Sequence, residues 1–340
     1  MAASLLAGCG GVNNGAAVAT IDGQKIEYGL MHFVARLEQA NSDDFYTMYY
    51  GQQGMSFWKN DNGEGIPMDQ ALAEDVLNTM QEIYTLEKHM EEYNVSLTEE
   101  EQNAISQAAS GFLAANSKKA LKALGAEQAY VEEYLRLSTI QQKMKKAIIA
   151  DVDTNVTDEE AKTGAYSYVE ISKSSESQDA DTVAADLEQL KTQASAFADA
   201  AGAGTLEAAA EEYGHTVSTG TFKADDDSVD AEVVTALGGL KESEVSGLIE
   251  TADAYFVVRL DAELDREATD ETKESIIEER EETLYSETVE KWKEDSEWTI
   301  DEDVLAKISF DNLFTTTPES SESTESVPEG TEPVVDATEE

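Results

Sequence analysis

Residues 254–261 read AYFVVRLD, a run dense in aromatic and β-branched side chains, and this pattern predicts a strand. Upstream, residues 165–171, AYSYVEI, alternate with a period of two and predict a second strand. Between them, Val183, Leu187, Leu190, Ala194 and Phe197 make one stripe of an amphipathic helix over 182–201. A shorter helix over 205–213 carries Leu206, Ala210 and Tyr213 and stops at Gly214. Residues 216–222 read as a short strand and 229–240 as a helix. The order is β-α-α-β-α-β, preceded by Thr157 and Glu160, a capping box that predicts a short helix.

The flanks are different. Residues 16–27, AAVATIDGQKIE, predict a strand, and Asp22-Gly23 within them is a hairpin turn signal. Helices follow: 28–40 with Leu30, Phe33, Val34 and Leu37 on one face, 69–93, 99–116 behind the capping box Thr98/Glu101, and 127–150 after Gly125. Beyond the second region, a highly charged helix is expected over 270–295, then a strand at 298–300 and a last helix near 301–308. Residues 315–340 hold eight acids, three of the four prolines, no base and no aromatic side chain, so they are expected to be disordered. The fold class is α+β: a mainly helical domain from N- and C-terminal segments, with a βααβαβ domain inserted.

The chain carries 72 acidic and 23 basic residues, a net charge of -49. No basic face is available to follow a phosphate backbone, which excludes nucleic acid as a partner, and the charge opposes adhesion to an anionic membrane. The acids run along the whole chain and read as a solubilising surface. The lone cysteine, Cys9, excludes an internal disulfide. It follows Leu5-Leu6-Ala7-Gly8, a run similar to the bacterial lipoprotein signal, in which the cysteine becomes the lipidated N-terminus. Met1–Gly8 holds no basic residue and barely half of the required apolar stretch of about 7–15 residues, so the true start is read as lying upstream. The polar, glycine-rich run from Gly10 to Gly15 suits a tether. No later segment has about 18 unbroken apolar residues. The expected location is the extracytoplasmic face of the cell membrane, lipid-anchored.

Residues 157–265 resemble the parvulin domain, a small prolyl isomerase. Leu206 to Tyr213 is similar to its F-x-x-L-A-x-x-Y helix, and Thr219-Gly220-Thr221-Phe222 to its L-G-W-F strand. Leu240 to Ser246 is similar to its L-x-x-G-E-V-S run, with Ser243 in place of the glycine. Ile249-Glu250-Thr251 followed by Ala254–Leu260 is similar to its V-x-T…G-Y-H-I-I-K-L ending. The flanks, beginning at Val18-Ala19-Thr20-Ile21-Asp22-Gly23, resemble PrsA- and SurA-type foldases. That resemblance implies a signal remnant and tether (1–16), a helical chaperone domain (17–156) completed by a C-terminal segment (266–314), the inserted parvulin-like domain (157–265) and the acidic tail (315–340).

The resemblance also places the functional positions. The two parvulin histidines fall at Tyr168 and Phe256, the acidic or cysteine position at Ser218, and the phenylalanine that packs on proline at Val233. Phe222 belongs to the same substrate-binding group. All four of the first positions are substituted, and no histidine lies between His89 and His215 to replace them. His215, three residues before Ser218, is a minority candidate for a catalytic role. Residues 45–58, FYTMYYGQQGMSFW, concentrate six aromatics and two methionines. They read mostly as core, with Tyr46, Tyr49 and Trp58 as candidates for an exposed client-binding surface. Asp151, Asp153, Asn155 and Asp158 lack the glycine and terminal glutamate of a calcium loop, and no zinc spacing occurs. No cofactor is expected.

The expected function is a lipid-anchored folding factor that binds unfolded exported polypeptides, with weak or absent isomerase activity. One alternative is an active prolyl isomerase using Tyr168, Ser218 and Phe256; another is a structural envelope lipoprotein that scaffolds one partner. A substrate-binding transporter protein is disfavoured, since it would need two α/β lobes with repeated βα units, and no small-molecule substrate is expected.

Overall fold

A computed structural model describes residues 12–50, 55–174, 179–225, 227–308 and 310. The expected lipidation site at Cys9 and the acidic tail over 315–340 lie outside the described residues. The chain divides into two compact units, one of residues 1–147 with 288–340 and one of residues 148–287. The second is therefore an insertion in the first.

The first unit opens with β1 (Ala17–Ile21) and β2 (Gln24–Glu27), an antiparallel hairpin. Its turn places Asp22 at φ 48° and Gly23 at φ 84°. Two successive left-handed residues make the turn whose twist matches paired strands, and Asp-Gly is the pair that tolerates it. Helices α1 (Tyr28–Tyr50), α2 (Met55–Trp58), α3 (Met68–Lys88), α4 (Glu99–Ala115), α5 (Lys118–Leu124) and α6 (Gln128–Ile149) follow. The capping box forms as expected: Thr98 Oγ1 accepts from the Glu101 N–H at 3.2 Å and Glu101 returns the bond to the Thr98 N–H at 2.8 Å. The expected helices at 28–40 and 69–93 are displaced at their C-terminal ends. α1 continues to Tyr50, and α3 stops at Lys88 with His89 as its cap.

The second unit contains β3 (Gly164–Ser172), α7 (Ala180–Ala203), α8 (Leu206–Tyr213), β4 (Ser218–Phe222), α9 (Ala231–Leu237), β5 (Ile249–Glu250), β6 (Ala254–Ala262) and most of α10 (Arg266–Glu294). Its sheet has the order β4-β3-β6-β5, every pair antiparallel. The capping contact at Thr157 is present, with its Oγ1 accepting from the Glu160 N–H at 3.2 Å, yet it closes a turn and not a helix. The unit is wider than 157–265 because α10 is tied to the segment before β3. Asp158 pairs with Lys273 and Arg266, whose bonds hold its carboxyl down at about 2, and Thr163 Oγ1 meets Thr272 Oγ1 at 2.8 Å.

The chain then returns to the first unit. β7 (Trp298–Ile300) adds to the outer side of β1, pairing Ile21 with Trp298 and Ala19 with Ile300, and α11 (Glu302–Leu305) follows. The Asp22 carboxylate accepts from the Glu297 N–H at 2.8 Å and pairs with Lys88, so the hairpin turn, α3 and the C-terminal segment meet at one residue. The core of this unit joins Val18, Ile21 and Ile26 to Phe33, Leu77, Met80 and Leu137, and closes with Phe310, which is fully buried. Among the described residues no helix is long and apolar enough to cross a membrane.

Candidate functional site

Strand alternation sorts the side chains of the second unit onto two faces. Val169 and Ile171 of β3 and Tyr255 and Val257 of β6 point to one side, where α7 and α8 cover them with Phe197, Ala201, Leu206 and Ala210. Tyr166, Tyr168, Phe256, Val258 and Leu260 point to the other, where the short α9 covers them through Val233 and Leu237, with Val229 and Leu240 packed beside it. Seven residues of helix cannot span this face, so Tyr168, Phe222 and Phe256 stay half-buried.

These rings are in contact. Tyr166 and Tyr168 lie 5.3 Å apart between centroids, Tyr168 and Phe256 6.1 Å, and Tyr166 meets Phe222 edge-to-face at 5.9 Å. Gly164 makes room for Phe222: a Cβ there would fall 2.4 Å from its ring. A cavity of about 610 Å³ opens beside Phe222, walled by Leu237, Leu240 and Leu260 and edged by the Lys162–Glu263 pair. Ser218 is exposed and lies directly opposite Tyr168 in the β3–β4 register.

The turn before β6 explains two sequence motifs. Ser246 is buried; its Oγ accepts from the Val258 N–H at 3.0 Å and its own N–H donates to Val258 O at 2.7 Å, which holds β6 where β5 is too short to pair with it. Thr251 closes the β5–β6 turn, its Oγ1 accepting from the Ala254 N–H at 3.2 Å. Ser243 sits at φ 70°, the left-handed region in which a glycine is at ease. The serine that replaces the motif's glycine therefore carries backbone strain.

The structure thus brings Tyr168, Phe222, Phe256 and Ser218 to one face, and corrects three expectations. Val233 is only 1% exposed and fills the layer beneath the rings, so it offers no surface to a ligand. His215 meets Phe197 edge-to-face at 5.0 Å, and Phe197 belongs to the cluster on the opposite side of the sheet from Tyr168. Trp58 is 1% exposed, wedged against Phe57 and Phe310, and its Nε1–H donates to Asp43 Oδ1 at 3.0 Å; it is core, and not a client-binding side chain. Tyr46 and Tyr49 belong to α1, but their side chains lie outside the described residues. Among the described side chains of that stretch, Phe45 stands exposed, at 52%. Tyr166 was not singled out by the motif alignment, although its place two residues before Tyr168 puts it on the same face. Among the described residues no group of histidine, cysteine and carboxylate side chains could hold a metal ion.

The sheet has two helices on one face, one short helix on the other and a half-buried aromatic cluster. Residues 157–274 match the family of the PPIC-type PPIASE domain, so the inserted unit carries a domain of that family. Over more of the chain, the fold is similar to the foldase PrsA of Lactococcus lactis at 17% identity, covering 86% of this chain and 97% of that one with a TM-score of 0.31. It is similar to the peptidylprolyl isomerase PrsA of Bacillus cereus at 17% identity, 76% and 93% coverage and a TM-score of 0.31. It is also similar to a SurA-like chaperone of Campylobacter jejuni at 12% identity, 84% and 99% coverage and a TM-score of 0.30. No curated protein matches the chain.

Proposed function

We propose that this chain is an extracytoplasmic folding factor, tethered through a lipid on Cys9, whose inserted domain grips unfolded polypeptide with little or no prolyl isomerase activity. The observation that carries this reading is the chemistry of the open face. Tyr168, Phe222 and Phe256 offer adaptable aromatic surface to a proline ring or another apolar side chain. The same face lacks the groups that turn an amide. Rotation about X-Pro must overcome about 18–20 kcal/mol, and each tenfold of rate needs about 1.4 kcal/mol of extra stabilisation of the twisted amide. That stabilisation comes from polar groups held around the carbonyl. At the two positions where the resemblance places histidines stand a phenol and a phenyl ring.

Binding on such a face derives from apolar contact, so it is released as a client buries its own apolar side chains. No cofactor enters. The acidic surface, with a net charge of -49, opposes self-association of the factor while it holds aggregation-prone chains.

A second reading keeps catalysis. Ser218 and Tyr168 are register partners across β3 and β4, so both hydroxyl-bearing side chains project from the same face, and this reading has them polarise a carbonyl together. The test that separates binding from its absence is titration of the isotope-labelled protein with a reduced, unfolded secreted polypeptide. The signals of Tyr168, Phe222 and Phe256 should shift, and those of His215 and Phe197 should not. Shifts confined to the opposite face would contradict the assignment of the site. The tether is tested by fractionation: Cys9→Ser should move the protein from the membrane fraction to the medium.

A further inference from the structure

The first unit has an apolar groove that its own fold leaves open. Half-buried Leu72 of α3 and Tyr134 of α6 flank a space of about 290 Å³, over the buried side chains of Val34 of α1 and Val76 of α3. That size is at the small end of ligand pockets and suits one or two bulky side chains better than a cofactor. The rim carries Glu38 and Asp75, and no lysine, arginine or histidine lines the groove.

Unpaired acids are ordinary on a chain with 72 of them. Glu38 and Asp75 differ in their place, at the border of this apolar space. In the same unit Glu101 pairs with Lys143, Glu87 with Arg136 and Asp69 with Lys59, whereas Glu38 and Asp75 have no ion-pair partner among the described residues. Two carboxylates beside a low-dielectric wall focus a negative potential into the groove. The Tyr134 phenol registers it: burial, and then the charge of Glu38, push its pKa up.

We infer that this groove is a docking site for a polypeptide segment in which a bulky apolar side chain is flanked by lysine or arginine. The inference rests on the folding-factor reading and deepens it by naming the class of client segment. A second copy of this chain is a poor occupant, since two surfaces of net charge -49 repel. A segment that is apolar and acidic would meet the same repulsion at the rim. A basic-apolar segment satisfies both the floor and the rim, and its charge would also speed its capture.

The test uses the full chain and three fluorescently labelled seven-residue peptides built on glycine and serine. The first carries phenylalanine between two lysines, the second phenylalanine between two glutamates, and the third two lysines with no phenylalanine. Glu38→Gln combined with Asp75→Asn, both on the surface rim, should weaken the first peptide about threefold to tenfold at roughly 50 mM salt, as expected for two partly exposed ion pairs. The loss should shrink at about 500 mM salt, and the second peptide should not be weakened. Unchanged affinity of the double variant for the first peptide overturns the inference, as does an equal loss for the third peptide, which would mark general surface attraction. If either result comes while wild-type protein still binds a reduced, unfolded secreted chain, the folding-factor reading survives without the groove. If the wild-type protein binds neither the peptides nor that chain, both fall.

Discussion

Replacing Trp58 separates a core role from a client-binding role for the aromatic stretch at 45–58. The indole is 1% exposed, sits edge-to-face against Phe57 at 5.3 Å and Phe310 at 5.4 Å, and donates to Asp43 at 3.0 Å. Trp58→Ala removes both ring contacts and opens a cavity, which costs about 3–5 kcal/mol for a buried large aromatic. Trp58→Phe keeps most of the ring volume and gives up the indole N–H, a loss of about 1 kcal/mol. All three tryptophans, Trp58, Trp292 and Trp298, belong to the first unit, so tryptophan fluorescence during urea unfolding reports that unit alone, and Trp292 and Trp298 still report after Trp58 is removed. With an m-value of about 2 kcal/mol per molar urea, the alanine variant should lose roughly 1.5–2.5 M in midpoint and the phenylalanine variant about 0.5 M. Affinity for unfolded client, measured below the transition, should stay unchanged. An unshifted midpoint together with weakened client binding would refute the core assignment and return Trp58 to the surface.

Two further outcomes follow from single residues. Ser243→Gly relieves a serine held at φ 70°, so it should stabilise the inserted unit by about 1 kcal/mol, seen as slower hydrogen exchange of the Val257 and Val258 amides; no slowing would mean the strain is taken up elsewhere. His32 is held below its usual pKa of 6.5, first by burial and then by the charge of Arg36. A depressed histidine favours the folded state fully above the unfolded pKa, and that contribution is lost as pH falls through the lowered folded value. The fluorescence midpoint of the first unit should therefore drop between about pH 7 and pH 5, and His32→Gln should flatten that part of the profile; an equally steep profile in the variant would assign the loss to other groups.

Much of the fold is legible in the sequence because its signals are local. The alternation at 165–171, the strand at 254–261, the stop at Gly214 and the capping box at Thr98 each depend on neighbours within a few residues, and each stands where the pattern puts it. β5 escapes such reading because a two-residue strand has no period; it exists only because Ile249 and Glu250 meet Phe256 and Tyr255 across a turn. The same limit applies to Thr157, whose capping contact is real while the helix it would start does not continue. Burial is harder to read than secondary structure. Trp58 looks like adhesive surface from composition, and only the arrival of Phe310 from the far end of the chain seals it. His215 is near Ser218 in sequence yet faces Phe197, because it lies in the loop between α8 and β4, before strand alternation begins at Ser218. The groove at Glu38 and Asp75 has no motif at all: its walls come from three helices.

The central claim is that the inserted domain holds an X-Pro segment without turning it. The most direct measurement is NMR exchange spectroscopy on a short X-Pro peptide with the protein added at substoichiometric amount. The account predicts shifted or broadened peptide resonances with an unchanged cis/trans exchange rate, and the same rate with Tyr168→Phe and Ser218→Ala. Exchange that accelerates with added protein, and slows again in either variant, would contradict it and make the paired hydroxyls catalytic.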